Sequence, residues 1–399
     1  MQICLHLSHS SVFSFMSYMN RFYICIIIFF FQVFSAFAQW NSWNNAESVT
    51  QLMHRAQEEG LTYFSQYHLW NVRAEITQPS IYYEKTGVEL YVYGLDFFYA
   101  SGSYLADDYQ SRRRYNIIEL VKQQWRENKA IPCFSWHLEN PYVTSGYDYM
   151  GCRFCASEPN YPVGHENVVR EIVKGENGSR CGNGRYSGME NESWKNPRKW
   201  FYARCKEIAS IINELKDDNG NPIPIIFRPW HECEGAWFWW GGSNTTAEDY
   251  KSLYKLTVNR IKKYTKKSQI IWAYSPDSRW ETEESFMSRY PGDKYVDMIG
   301  YDDYQLGDPK KLEGEIAKAR IVSKVAIKHN KIAALFEGAN SIVETSDVYF
   351  KNYLMPLLSD NDVHFAIAQL WSTSLLTTNE QLSDRMWFLS QPKILKVKK

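Results

Sequence analysis

The chain has 399 residues, and its 45 Lys and Arg residues balance its 45 Asp and Glu residues, so its formal net charge is zero. A nucleic-acid-binding protein needs an excess of positive charge to neutralise phosphates, so this balance argues against that class. With 44% hydrophobic and 23% charged residues, the chain has enough apolar surface for a core, which excludes a largely disordered protein.

The first 38 residues are predicted to be a secretory signal peptide. Arg21 precedes an apolar run over residues 22–37, which ends in an Ala36-Phe37-Ala38 cleavage motif. An uncleaved membrane anchor is the alternative, because about 17 apolar residues can just span a bilayer. We favour cleavage because the motif is well placed, and we expect a secreted domain of residues 39–399 with no membrane segment.

Short β-type runs alternate with helical patterns along the rest of the chain, which is typical of a parallel α/β fold. Strands are predicted over residues 61–66, 88–96, 131–137, 223–227, 269–274, 296–301, 331–336 and 363–371. Helices are predicted over residues 111–128, 197–217, 247–263 and 309–329. Eight strands with crossover helices predict a single (β/α)8 TIM barrel. A doubly wound sheet is the alternative, but the first strand lacks the Gly-rich turn that such a fold uses to bind phosphate.

A long segment rich in Gly, Asn and Tyr, residues 138–194, follows the third predicted strand. Loops of this size in a compact domain are usually functional, and this one starts where barrels hold their active sites. The alternative is that this segment is a surface insertion without a function.

Six cysteines remain after removal of the signal peptide, and four lie in or just after this insertion: Cys152, Cys155, Cys181 and Cys205. Because exported proteins fold in an oxidising compartment, we expect two disulfides among these four cysteines, which would cross-link the insertion. Cys133 and Cys233 are expected to be free, since a cysteine inside a strand is commonly a small buried hydrophobe. A zinc site at the C-x-x-C pair is disfavoured, because no second ligand pair follows.

Two carboxylates directly follow apolar strands: Glu232 after the fourth strand and Glu337 at the end of the seventh. Glycoside hydrolysis needs two carboxyl groups across the scissile bond, one protonated and one ionised. Strands four and seven lie on opposite sides of an eight-stranded barrel, so these groups can face each other across its mouth. An apolar wall containing Trp237 would raise the pKa of the acid, and Arg228 could orient the other carboxylate.

Each of these residues also has a purely structural explanation. A lone Glu at a strand end is more often a surface group or a helix cap, and His231 could be a buried, hydrogen-bonded histidine. His231 and Glu232 do not form a metalloprotease motif, because no second His follows at the required spacing. Aromatic residues make up 16% of the chain, more than a core requires, which favours a cleft that binds flat sugar faces.

Four runs of residues carry a more specific signal. The fourth-strand run is Arg228-Pro229-Trp230-His231-Glu232, followed by Gly235-Ala236-Trp237-Phe238-Trp239-Trp240-Gly241. The other runs are Ser135-Trp136-His137-Leu138-Glu139-Asn140-Pro141, Gly300-Tyr301-Asp302-Asp303-Tyr304 and, more weakly, Tyr63-Phe64-Ser65-Gln66. Together, in order and at suitable spacing, they resemble the motifs of glycoside hydrolase family 26, which is dominated by endo-β-1,4-mannanases.

The resemblance implies a retaining endo-β-1,4-mannanase with Glu232 as general acid/base and Glu337 as nucleophile. It further implies that Tyr304 hydrogen-bonds the nucleophile and that Trp371 is a platform under the sugar at the cleavage point. The remaining expected substrate-binding residues are His137, Arg228, His231 and Trp237. The chain departs from the family pattern after Glu337, where Gly338-Ala339-Asn340 follows, and at Ser372, where many relatives carry Arg.

No metal and no organic cofactor are expected, and the expected partner is a β-mannan-type polysaccharide bound by a monomer. A mixed-linkage β-glucanase or a β-1,3-xylanase is the alternative within the family. A barrel that binds polysaccharide without cleaving it is the alternative from another class.

Overall fold

The computed structural model of the protein describes residues 45–397 except 68, 71–78, 102–107, 139, 142–166, 176–196, 267–268, 340–345 and 372–377. The predicted signal peptide and most of the predicted insertion lie outside the described residues, as do Cys152, Cys155 and Cys181. None of the helices in the described part of the chain has the length and apolar character needed to cross a membrane.

Eight parallel strands form the barrel: β1 (Thr62–Gln66), β2 (Val92–Asp96), β3 (Ile131–Trp136), β4 (Ile225–Pro229), β5 (Ile270–Tyr274), β6 (Met298–Asp303), β7 (Ile332–Gly338) and β8 (Phe365–Leu370). Ladders join β2 to β8 in chain order, and β8 pairs with β1. Every residue of these strands is buried, as expected where one face fills the barrel and the other packs under helices. The predicted barrel is confirmed.

The end of the chain bridges the first two strands. A short strand, β9 (Ile394–Leu395), pairs in parallel with β1, and the N–H of Thr62 donates to the carbonyl of Lys393 over 2.8 Å. The N–H of Val397 then donates to the carbonyl of Glu89, just ahead of β2, over 2.9 Å. This segment therefore links β1 to the chain leading into β2 at the amino-terminal end of the barrel.

Within the described residues, the α-helices are α1 (Ala46–Glu58), α2 (Ile81–Thr86), α3 (Asp108–Asn128), α4 (Val168–Lys174), α5 (Pro197–Glu214), α6 (Ala247–Lys262), α7 (Glu283–Met287), α8 (Leu312–Lys328), α9 (Met355–Ser359) and α10 (Asn379–Ser390). The four predicted helices correspond to α3, α5, α6 and α8. The predicted insertion is not wholly irregular, because α4 lies within it.

Helix α6 illustrates how the local sequence sets these elements. The side chain of Thr246 accepts a hydrogen bond from the N–H of Asp249 and so caps the first turn. Acidic residues stand in that turn and basic residues in the last one, as the helix dipole favours. The face of α6 that includes Leu253 and Val258 is buried, so the helix covers the barrel.

The cysteine predictions have a mixed outcome. Cys133 and Cys233 are buried free thiols, as predicted. Cys205 is also a buried free thiol, on α5, so its predicted place in a disulfide is wrong in this structure. Its position on the apolar face of a helix explains the difference, because burial there keeps the thiol within the core.

Candidate active site

Three carboxylates meet at the carboxyl-terminal mouth of the barrel. Glu232 follows β4, Asp302 lies near the end of β6, and Glu337 is the penultimate residue of β7. All three are buried, and one carboxylate oxygen of each lies within 4.8 Å of those of the other two. Retaining glycosidases hold their two carboxyl groups about 5–5.5 Å apart and inverting ones about 6.5–9.5 Å apart. The predicted pair is therefore brought together at the shorter kind of separation.

The carboxylate of Glu337 accepts hydrogen bonds on both oxygens. The guanidinium of Arg228 donates from Nη2 to Oε1, and the hydroxyl of Tyr304 donates to Oε2 over 2.5 Å. A guanidinium and a phenol are both donors here, so Glu337 is arranged as an acceptor on each side. The contact of Tyr304 with Glu337 is the one that the sequence motif implied.

Arg228 lies beneath the carboxylates and has no exposed surface. Its Nη1 is 2.8 and 2.7 Å from the two oxygens of Asp302 and 3.1 Å from Oγ of Ser275. Its Nη2 also lies 3.2 Å from the hydroxyl of Tyr67. Arg228 therefore supports Glu337 and Asp302 from below, and it has no exposed atoms with which to contact a substrate.

A glycine in β2 makes room for the tyrosine in this network. A Cβ atom at Gly94 would lie 2.3 Å from a ring carbon of Tyr67, closer than real Cβ contacts allow. The absence of a side chain at Gly94 lets the ring of Tyr67 pass over the strand and reach Arg228. The glycine thus acts on the site through Tyr67.

Glu232 has a different environment. The indole N–H of Trp237 donates to its Oε2 over 2.6 Å. Burial raises the pKa of Glu232 well above its usual value, and the negative charges of Glu337, Asp302 and Asp277 raise it further. Because a raised pKa favours the protonated carboxyl, Glu232 is the member of the pair that is suited to donate a proton.

The backbone that presents Glu232 is unusual. Trp230 and Glu232 have φ values of 58° and 53°, in the left-handed region that residues with side chains rarely adopt. The conformation is held by the N–H of Glu232, which donates to the carbonyl of Ser275 over 2.8 Å, and by the hydroxyl of Tyr250, which donates to the carbonyl of Trp230 over 2.9 Å. The strained turn is therefore tied to neighbouring elements.

Two tryptophans of the loop that follows Glu232 have a structural role. The indole N–H of Trp239 donates to the carbonyl of Leu138, and that of Trp240 donates to the carbonyl of His231, both over 2.9 Å. Both rings are completely buried. They pack the top of the barrel, whereas Trp237 of the same run stays partly exposed at the site.

His137 and His231 form a buried chain with Asp96. Nδ1 of His137 contacts the carboxylate of Asp96, and its Nε2 lies 3.2 Å from Nε2 of His231. Burial, with the nearby His137 and Arg228, lowers the pKa of His231 well below its usual value, so this ring is neutral. Nδ1 of His231 has no hydrogen-bond partner among the described residues, and the tautomers of the two rings set which of them donates between the two Nε2 atoms.

Trp371 directly follows β8 and is partly exposed, as predicted for a sugar platform. Its ring centroid is 4.7 Å from that of Tyr67 and 6.1 Å from that of His137. Its backbone N–H donates to the carbonyl of Gly338 over 3.0 Å, which fixes it beside β7. An aromatic ring placed in this way can lie against the apolar face of a sugar.

Among the described residues, Glu232, Asp302 and Glu337 have the spacing of a possible metal site. The guanidinium of Arg228 already pairs with two of the three carboxylates. Two of the three carboxylates are thus already paired with a protein cation, which makes this cluster a poor match for a divalent ion.

Four residues with roles in this geometry were not singled out by the sequence, and Asp302 was part of a motif but was given no role; the four are Tyr67, Asp96, Ser275 and Asp277. All four stand at or just beyond the carboxyl ends of β1, β2 and β5, a position that is itself a signal in a barrel. The run of Ser275 to Arg279 after β5 was the clearest such signal that remained unused.

Comparison with known protein families finds a match for part of the chain. The model of glycosyl hydrolase family 26 matches residues 186–363, which include Glu232 and Glu337. The chain is 30% identical over 203 residues to a mannan endo-1,4-beta-mannosidase of Bifidobacterium adolescentis, covering 47% of this chain and 19% of that protein. It is 28% identical over 225 residues to a protein of the same name from Bacillus subtilis, covering 55% of this chain and 51% of that one. The chain thus spans about half or less of the length of these relatives.

Solved structures share the fold. GH26C from Muricauda sp. MAR_2010_75 superposes with a TM-score of 0.71 at 24% identity, covering 87% of this chain and 91% of that one. The GH26 beta-mannanase BoMan26A from Bacteroides ovatus superposes with a TM-score of 0.68 at 21% identity, covering 88% and 94%. The fold is therefore shared over almost the whole length of both proteins, and with the family match the predicted resemblance is confirmed.

Proposed function

Because the model of glycosyl hydrolase family 26 matches residues 186–363, which hold both glutamates, we propose that the protein is a secreted, retaining endo-β-1,4-mannanase that hydrolyses β-mannan, glucomannan or galactomannan. The observation that carries the proposal is the carboxylate pair at the mouth of the barrel. Glu232 and Glu337 approach within 4.8 Å but have opposite environments, one favouring a proton donor and the other an acceptor. The mannan endo-1,4-beta-mannosidases among the relatives support mannan as the substrate.

In the first step, a carboxylate oxygen of Glu337 attacks the anomeric carbon. Glu232 gives its proton to the glycosidic oxygen as the bond between that oxygen and the anomeric carbon breaks. The leaving chain departs as an alcohol, and the sugar remains as an ester on Glu337. Arg228 and Tyr304 hold the nucleophile in the position from which it attacks.

In the second step, Glu232 is the base. It takes a proton from water as the water oxygen attacks the anomeric carbon and the ester bond to Glu337 breaks. Two inversions give net retention, and both carboxyl groups return to their starting states. Trp371 supports the sugar ring throughout, beside His137.

A substrate panel tests this function. The purified protein is incubated with mannan, glucomannan, galactomannan, lichenan and β-1,3-xylan, and released reducing sugar and product lengths are measured. We expect release from the mannans, with oligosaccharides of mixed length as the early products. Release from lichenan or β-1,3-xylan alone would instead assign a β-glucanase or a β-1,3-xylanase, and binding without release would assign a non-catalytic barrel.

The proposal includes export and a monomeric state. The A-x-A motif supports cleavage after Ala38, so the exported protein should begin at Gln39. Mass spectrometry of protein from the culture medium would find this terminus, whereas a retained membrane-bound form would contradict it. Light scattering of the exported protein should give the mass of one chain, and a dimer mass would contradict the monomer.

A further inference from the structure

The indole that contacts Glu232 is enclosed by two neighbours. A Cβ atom at Gly235 would lie 2.1 Å from two carbons of the six-membered ring of Trp237, so only glycine leaves space for the ring there. The guanidinium of Arg279 lies over the ring of Trp237, 4.5 Å from its centroid. At this distance a cation is attracted to the face of an indole. Trp237 is thus restrained by its own loop and by the segment that follows β5.

Arg279 is in turn fixed by Asp277. Nε of Arg279 lies 3.2 Å from Oδ2 of Asp277, and its backbone N–H donates to Oδ1 over 3.1 Å. The side chain of Asp277 is 8% exposed, and its N–H donates to Oε2 of Glu234 over 3.2 Å. The segment is attached to β6, because the N–H of Asp302 donates to the carbonyl of Pro276 over 2.9 Å. Arg279 itself is 66% exposed and so forms the outer part of this group.

The contact of Trp237 decides which oxygen of Glu232 can carry the proton. An indole N–H can only donate, so Oε2 of Glu232 must accept. The carbonyl oxygen of a neutral carboxyl is the stronger acceptor of its two oxygens, so this contact favours the proton on Oε1, from which it can pass to the glycosidic oxygen. If the indole turned away, the proton could be carried on either oxygen, and the carboxyl could rotate.

From these contacts we propose that Arg279, held by Asp277, is a positioning residue for proton donation: it fixes Trp237 so that the carboxyl of Glu232 presents Oε1 to the leaving group. The inference rests on the proposed function, because that function makes Glu232 the acid. A purely structural role for Arg279 would affect the stability of the barrel but not one chemical step over another.

The distinguishing property is dependence on the leaving group. A phenol leaves poorly and needs the proton of Glu232, whereas 2,4-dinitrophenol leaves without it. Loss of Arg279 should therefore slow cleavage of phenyl β-mannobioside but hardly affect the first step with the dinitrophenyl compound, which kcat/KM reports.

The experiment compares Arg279→Gln with Arg279→Lys, which keeps the cation. We expect Arg279→Gln to lower kcat/KM about three- to fivefold on the phenyl glycoside and to leave it almost unchanged on the dinitrophenyl glycoside. Arg279→Lys should restore most of the loss. The control is Arg126→Gln, which removes a similarly exposed arginine, paired with Asp218 at the other end of the barrel, and should leave both rates unchanged.

Equal losses on the two glycosides, or no loss on the phenyl glycoside, would overturn the assignment of Arg279. A wild-type protein that cleaves neither glycoside nor mannan would instead overturn the proposed function. The restraint on Trp237 can also be measured without an activity assay, by NMR of protein labelled with ¹⁵N-Trp. The indole N–H resonance of Trp237 is identified as the one that is lost in Trp237→Phe. That resonance should move upfield in Arg279→Gln and stay in place in Arg279→Lys, and an unchanged position in Arg279→Gln would overturn the restraint.

Discussion

At the scale of single residues, the two glutamates of the site have the same side chain, but their surroundings suit them to different roles. Glu337 accepts from Arg228 and Tyr304, while Glu232 has one indole donor and three negative neighbours. The difference lies in the contacts and not in the residue type. Substitutions at the two positions should therefore have different consequences.

Removal of either carboxyl should stop turnover, but at different steps. Glu337→Ala should abolish cleavage of every glycoside, because no ester can form. Glu232→Ala should still form the ester from dinitrophenyl β-mannobioside and then accumulate it, and added azide should restore turnover with a β-glycosyl azide product. Kinetics and NMR of the product check this. An α-azide from Glu337→Ala would show that the two roles are reversed.

The pKa of Glu232 gives a second prediction. The acid must be protonated, so kcat/KM should fall as the pH rises through this raised pKa, well above the about 4.3 of a free glutamate. Burial and the charge of Glu337 are the two largest causes. In Glu337→Gln the charge is removed, so the pKa should fall, as ¹³C-carboxyl NMR titration would measure. An unchanged value in Glu337→Gln would mean that the charge of Glu337 does not contribute to the raised pKa of Glu232.

At the scale of elements, the strands were predictable and several helices were not. Strands buried on both faces are continuous apolar runs, so all eight barrel strands could be located from sequence. Helix α10 was missed although Thr378 and Gln381 form a capping box, which is a recognisable sequence signature. The two residues of β9 are too few to give any periodic pattern.

The site was predictable only in part, because many of its contacts join side chains from different strands. Glu232 and Glu337 could be located because each follows an apolar strand. The contact of Arg228 with Glu337 was expected as well, but its contacts with Ser275 and Asp302 were not, since they join residues 47 and 74 positions apart through the registers of β4, β5 and β6. Those registers depend on packing across the barrel, which one sequence does not specify locally.

The glycine in β2 offers a test at this scale. Gly94→Ala should push the ring of Tyr67 out of place and lower the free energy of unfolding by about 1–3 kcal/mol, as overpacking typically does. It should also reduce kcat/KM, because Tyr67 contacts Arg228. Gly314→Ala in α8 is the control, since a Cβ there meets no atom within 4 Å, and it should be neutral or slightly stabilising. Urea titration measures the free energy of unfolding of both variants. Equal stability of Gly94→Ala and Gly314→Ala would contradict the predicted clash with Tyr67.

At the scale of the whole molecule, the end of the chain completes the barrel. Ile394 and Leu395 are each 1% exposed, and their strand lies against β1. Deletion of residues 394–399 should lower the free energy of unfolding by at least about 4 kcal/mol, because two buried aliphatic side chains and their ladder are lost. Leu395→Ala keeps the ladder and should lose about 2–5 kcal/mol. A truncated protein of unchanged stability in urea would show that the barrel closes without this segment.

The position of β9 also has a consequence for biosynthesis. Residues 394–397 lie far after β1 in the chain, yet they link β1 to the residues ahead of β2, so the ring cannot close until this segment has been translated. Until then β1 and β2 have open edges, which are templates for aggregation. A nascent chain of this protein is therefore expected to depend on chaperones until residues 394–397 have been made, and a premature stop ahead of them should give an insoluble product.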